Sequence, residues 1–164
     1  MKTHRSPVAC FGLFLLVALA GLLWGDQPAA AAVTSTKTIL VKGTVSTNAP
    51  ESIPFSGKVQ IKTTVVPDPD FGAPPSVHVA IDALDVQGLG ATTKTKYFAN
   101  EEVEVMRFLV ASDQLDFTFV ITTDPGGVTV VGIGLVSLTL TFDSAGNLTA
   151  ATGSVSNSPF APDL

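Results

Sequence analysis

A chain of 164 residues has room for one hydrophobic core, and its nine Lys and Arg against fourteen Asp and Glu, a net charge of −5, exclude the basic footprint of a nucleic-acid binder. The single cysteine, Cys10, falls in the N-terminal leader. That removes disulfides, thiolate metal sites and cysteine nucleophiles from everything that follows.

Residues 1–32 have the grammar of a cleaved signal peptide. Lys2 and Arg5 form a positive start, 8–24 is an uninterrupted apolar run, and Gly25-Asp26-Gln27-Pro28 break it before four alanines. Cleavage after Ala32, with Ala30 at −3, makes Val33 the first mature residue; cleavage after Ala31, with Ala29 at −3, also satisfies a small-residue rule. An uncleaved anchor is the weaker reading, because the apolar run only touches the lower edge of what spans a bilayer. Cys10 precedes that run, so it cannot become an acylated N-terminus, and no twin arginine is present. The expectation is a secreted or periplasmic protein with no integral membrane segment after processing. The lack of disulfides in a short exported chain points to a bacterial source.

From 33 onward the pattern is period two, with turn residues at short intervals and no convincing helical window. A first strand is expected over 38–46, with Ile39, Val41 and Val45 on one face. The clearest alternation follows from Ile53 to Val65, with Pro54 near its start, where a missing amide donor does least harm. The stretch Pro67-Asp68-Pro69-Asp70-Phe71-Gly72-Ala73-Pro74-Pro75 cannot continue a ladder and reads as a loop. Val77, Val79, Ile81 and Ala83 resume the strand, and the apolar phase then moves by one residue to Leu84 and Val86, as a β-bulge would make it do. Gly88-Leu89-Gly90 is the next expected breaker, followed by a Thr- and Lys-rich strand over 91–98 and a turn at 99–101.

Across 102–110 the apolar residues change from Val103 and Val105 to Met106, Phe108 and Val110, which predicts a switch of face with Arg107 pointing away. Leu115, Phe117, Phe119 and Ile121 define another strand, closed by Asp124-Pro125-Gly126-Gly127. Val136, Leu138, Leu140 and Phe142 enter a hairpin through Asp143-Ser144-Ala145-Gly146-Asn147, where Gly146 and Asn147 both tolerate positive φ, and the chain returns over 148–155. Residues 156–164 are polar and proline-bearing, and an irregular tail is expected. About eight strands without helices make residues 33–164 one all-β domain, an antiparallel β-sandwich or a closed barrel. Alternation alone does not choose between them. An outer-membrane barrel is disfavoured, since Tyr97 is the only interfacial aromatic left after cleavage.

Few residues carry chemistry. His78 is the only histidine after the leader; Asp82 shares its face but lies about 13 Å along a strand rising ~3.3 Å per residue. A triad would therefore need a carboxylate from another strand, and Asp85 is no better placed. Glu101, Glu102 and Glu104 form the densest acidic run. Glu102 and Glu104 share a face about 6.6 Å apart at the backbone, a spacing that can serve glycoside hydrolysis and that equally suits charges guarding a sheet edge. No catalytic residue is assigned, and edge guarding is the preferred reading of the glutamates. Asp68 and Asp70 are the candidate calcium ligands, hard oxygens in a loop of an exported protein. The EF-hand template fails there, with Gly72 and Ala73 at its fifth and sixth positions, so the alternative is a pair of turn-forming aspartates; no other cofactor is expected.

Asn147-Leu148-Thr149 matches a glycosylation acceptor, which in a bacterial product is a turn asparagine. Val130-Val131-Gly132-Ile133-Gly134-Leu135 lacks the following helix that a phosphate cradle needs, so strand crossing or a barrel corner explains its glycines. The function expected is that of an exported, non-enzymatic β-domain, binding or structural at the cell envelope or outside the cell. Two alternatives remain. One is a small apolar-ligand carrier barrel lined by Phe55, Phe108, Phe117, Phe119 and Phe142, and the other is a secreted hydrolase built on His78 or the glutamates.

Overall fold

The computed structural model describes residues 32–46, 49–66, 75–99 and 101–159. The leader, but for its last residue, and the candidate calcium loop with Asp68 and Asp70 lie outside them. The described residues form nine strands: β1 (Thr34–Val45), β2 (Ile53–Val66), β3 (Ser76–Asp82), β4 (Val86–Leu89), β5 (Lys96–Ala99), β6 (Glu102–Phe108), β7 (Ser112–Thr122), β8 (Val130–Phe142) and β9 (Leu148–Asn157). Seven of them close a barrel in the order β1-β9-β8-β7-β5-β4-β2, with β2 returning to β1, while β3 and β6 stand outside the ring. Every pairing is antiparallel except β1 with β9.

The wall forks at β2. Residues 60–66 pair with β3, and Phe55 and Ser56 pair with Gly88 and Gln87 of β4. Between the two pairings β2 moves from 60 to 56 while the facing chain moves from 82 to 87, so one extra residue is taken up in the turn at 83–85. The one-residue phase change seen in the sequence is therefore real, but it ends β3 instead of bulging it. Leu84 is left exposed in the turn, and the chain passes from the outer flap, β3 with β6, into the barrel wall, β4 with β5.

Alternation decides what faces inward. Val41 and Val45 of β1, Ile53 and Val59 of β2, Ile121 of β7 and Leu138 of β8 are fully buried, each burial stabilising by roughly 1.5–3 kcal/mol. Phe55 and Phe119 meet edge to face across the interior with ring centroids 5.6 Å apart. Gly134 lies under Phe119, where a Cβ would overlap the ring, so small residues face large ones as in other small filled barrels.

Turn chemistry closes the hairpins. Asp143 Oδ1 accepts from the amides of Ala145 (2.9 Å) and Asn147 (2.8 Å), and its Oδ2 accepts from Asn147 Nδ2 (2.8 Å). Asp124 likewise accepts from the amides of Val128 (3.0 Å) and Thr129 (2.8 Å). Of the two residues expected to tolerate positive φ, Gly146 uses it, at 85°, and Asn147 does not.

Three other expectations are corrected. Gly88 and Leu89 belong to β4, so the breaker is Gly90 alone. The strand expected over 91–98 is mostly a turn, leaving only Lys96–Ala99 as β5. The reason is Glu51: its carboxylate accepts from the amides of Thr92 (2.7 Å) and Thr93 (3.0 Å), from the Thr93 hydroxyl and from Tyr97 OH (3.0 Å), so these donors are withdrawn from any ladder. Lys94, at φ 62°, completes the turn. Finally, β9 runs to Asn157, into the segment expected to be irregular.

Candidate functional site

The outer flap carries the features that the core does not explain. β6 holds one uninterrupted register with β3, from Ser76↔Phe108 to Asp82↔Glu102. The switch of face expected within 102–110 therefore does not occur. Val103 and Val105 stay packed against the core, while Met106 and Phe108, in phase with Glu102 and Glu104, come out to solvent. Phe108 is 68% exposed, Met106 57% and Val110 45%. They line a groove of about 390 Å³ together with Ser76, Arg107 and Asp113.

Arg107 anchors one end of this groove. Its Nε and Nη2 donate to Asp113 Oδ2 and Oδ1, both at 2.9 Å, tying the end of β6 to the start of β7. The hydrogen bonds, more than the charge attraction, push the guanidinium pKa up; the same bonds hold the Asp113 carboxyl below its usual range. The fork takes two of the five guanidinium donors and fixes the side chain against β7.

β6 is also the last strand of the sheet, paired with β3 alone among the described residues. Two hydrogen bonds frame that ladder, Ala83 N to Glu101 O (3.0 Å) and Leu109 N to Pro75 O (2.9 Å). Odd-numbered residues of β6 thus turn their backbone groups towards β3. Residues 102, 104, 106 and 108 turn their N–H and C=O groups to the open edge, and their side chains share the outer face.

The outer face is acidic at the other end. Asp82 and Glu102 are direct cross-strand neighbours at a non-hydrogen-bonded position, the closer kind, where like charges repel. Glu104 Oε2 lies 3.5 Å from His78 Nε2. The carboxylate that His78 needed from another strand is therefore Glu104, not Asp82 or Asp85. Thr64 of β2 stands opposite His78 on the other side, and the His78 and Glu104 side chains are 36% and 62% exposed. Asp85 is elsewhere, accepting from Gln87 Nε2 at 2.6 Å.

The aromatic set expected to line a carrier divides. Phe55, Phe119 and Phe142 are buried in the core, Phe117 is half-buried, and Phe108 is on the outside. Asn147 is a turn residue, and Thr149 donates its hydroxyl to Thr141 O at 3.0 Å. Among the described residues no three His, Cys, Asp or Glu side chains converge as a metal ion would need, and no helix is long and apolar enough to cross a membrane. Sequence reasoning missed the outward Met106 and Phe108; their period-two phase with Glu102 and Glu104 was the available signal. Comparison with protein-family models, curated proteins and solved structures finds no match to this chain.

Proposed function

We propose that this chain is an exported, non-enzymatic domain that binds a partner at the cell envelope or outside the cell, and that it docks through the outer side of the β3–β6 flap. One contrast carries the reading: the barrel interior is filled by the protein's own side chains, whereas the edge strand holds Met106 and Phe108 in water. An apolar ligand inside would have to displace the Phe55–Phe119 pair, so the surface is the better candidate than a carrier cavity. Large apolar side chains grouped on one exposed strand and rimmed by charge mark interaction sites. Export is supported by the leader grammar of 1–32.

The test is site-specific photo-cross-linking in the native host. A benzoylphenylalanine in place of Phe108 in the full chain is expected to give a discrete adduct in the envelope or secreted fraction. The same probe in place of Val128, an exposed turn residue between β7 and β8, is expected to give none. Equal labelling from both positions, or none from position 108, counts against the docking surface.

A further inference from the structure

Resting on that docking surface, we infer that the occupant of β6 is an extended polypeptide segment that adds to the sheet as an antiparallel strand. It carries two cationic side chains, two residues apart, opposite Glu102 and Glu104, and two apolar ones opposite Met106 and Phe108. Three independent features of one strand select this partner. The outward N–H and C=O groups of 102, 104, 106 and 108 are a template for main-chain hydrogen bonds, which only another backbone can satisfy in series. Met106 and Phe108, with Val66 at the far end of the Ser76 row, give apolar contact at one end. Asp82, Glu102 and Glu104 give negative charge at the other, with His78 the only potential cation paired to any of them among the described residues.

The like-charge pair is the most telling feature. Asp82 opposite Glu102 weakens the β3–β6 ladder in the free protein, and a cation added alongside Glu102 turns that repulsion into attraction. Other occupants fit less well. A lipid surface could take Met106 and Phe108 but leaves the backbone edge unused, and an anionic one is repelled by the glutamates. A second copy fails on its own charges. The outer side of β6 carries no cation, so no antiparallel self-register within the strand sets a glutamate against a positive charge. The same two residues thus guard the edge against self-pairing and choose a basic strand.

The partner pattern, read from its N-terminus, is apolar-x-apolar-x-basic-x-basic. The probe is a peptide with fluorescein in place of an N-terminal acetyl group, fluoresceinyl-Gly-Ser-Val-Thr-Phe-Thr-Lys-Thr-Lys-Ser-amide, titrated by anisotropy against the protein as purified from its exported fraction. Saturable binding that weakens with added salt is expected. Glu102→Lys with Glu104→Lys is expected to weaken it by about tenfold or more and to make the peptide with Glu in place of both Lys the better ligand. N-methylation of the Phe and first Lys amides, which face β6 in this register, is expected to abolish binding. Undiminished affinity after either change overturns the inference.

Folding is controlled within the same set. Glu102→Lys sets opposite charges in the Asp82 row, so its Tm is expected to equal or exceed that of the parent. A Phe108 cross-link that persists while these peptides fail to bind removes the basic-strand partner and leaves the docking surface standing. Failure of both removes both.

Discussion

Thr63 stands on the inward side of β2 between Ile61 and Val65, buried, with no hydrogen-bond partner for its hydroxyl. An unsatisfied buried hydroxyl costs on the order of 1 kcal/mol or more, and valine has nearly the same shape without it. Thr63→Val is therefore expected to raise stability by about 1 kcal/mol, read from the urea midpoint; a lower midpoint would mean that the hydroxyl is satisfied after all. Glu51 is the opposite case, a carboxylate that accepts two hydrogen bonds on each oxygen and is fully satisfied. Hydrogen bonds, first from the Thr93 side chain and then from the amides of Thr93 and Thr92 and from Tyr97, hold its pKa down to about 2 against an ordinary 4.5. Because the folded value is the lower one, the stabilisation is complete above pH 4.5 and is lost as pH falls through about 2. Tyr97, raised first by desolvation and then by its bond to Glu51, works with the reverse sign, losing its contribution as pH climbs past its ordinary value of 10.0. Asp113, Asp124 and Asp143 are also lowered, so global stability mixes several carboxylates and a local probe is needed. Protection of the Thr92 and Thr93 amides is expected to fall between pH 4.5 and 2, and in Glu51→Gln to be low and flat across that window. The same fall in the variant would assign the effect to another group.

At the scale of single elements, what the sequence reveals depends on whether one period governs the whole strand. β2 and the second half of β8 were legible because inward and outward residues alternate without a break from Ile53 to Val65 and from Val136 to Phe142. β4 and β5 were not, being four residues each. Strands that short carry too little pattern to be told from turns, and the Glu51 clasp that fixes the turn between them comes from a loop 41 residues earlier than its first partner. β6 misled for a physical reason. A change of apolar phase reads as a change of face only if every apolar residue must be buried, and in β6 the continuous ladder to β3 makes Met106 and Phe108 the exception. Glu102 and Glu104 do lie on the terminal strand among the described residues, the position that the edge-guarding reading requires. The candidate surface was thus half visible, its charges but not its apolar end. The cross-strand partner of His78 was hidden, because register between strands that are not sequence neighbours cannot be read from alternation.

At the scale of the whole molecule, the sandwich and the barrel are nearly the same object, which is why alternation could not separate them. Long ladders join β1 to β2 along all of Thr34–Val45, and β8 to both β7 and β9. The joints between these two sheets are short: Phe98↔Thr122 joins β5 to β7, two residue pairs join β2 to β4, and Gly43↔Val155 is the one bridge of β1 to β9. Closure at that last seam relies on side chains as much as on backbone. Lys37 Nζ donates to Thr149 O (2.6 Å), Leu148 N donates to Ser35 Oγ (3.2 Å) and Ser46 N donates to Asn157 Oδ1 (2.7 Å). Gly43 is what lets the two backbones approach, since a Cβ there would overlap the Val155 carbonyl oxygen. Backbone on both sides leaves nothing flexible to move aside, so Gly43→Val must part the strands. The expected cost is about 1–3 kcal/mol, the usual range for overpacking a tight site. Hydrogen exchange should show where it falls: β1 and β9 amides near the bridge lose protection, whereas the β7–β8 ladder keeps its own. A variant with unchanged stability would show that the seam has slack. Uniform loss of protection across both sheets would instead mean that they unfold as one unit.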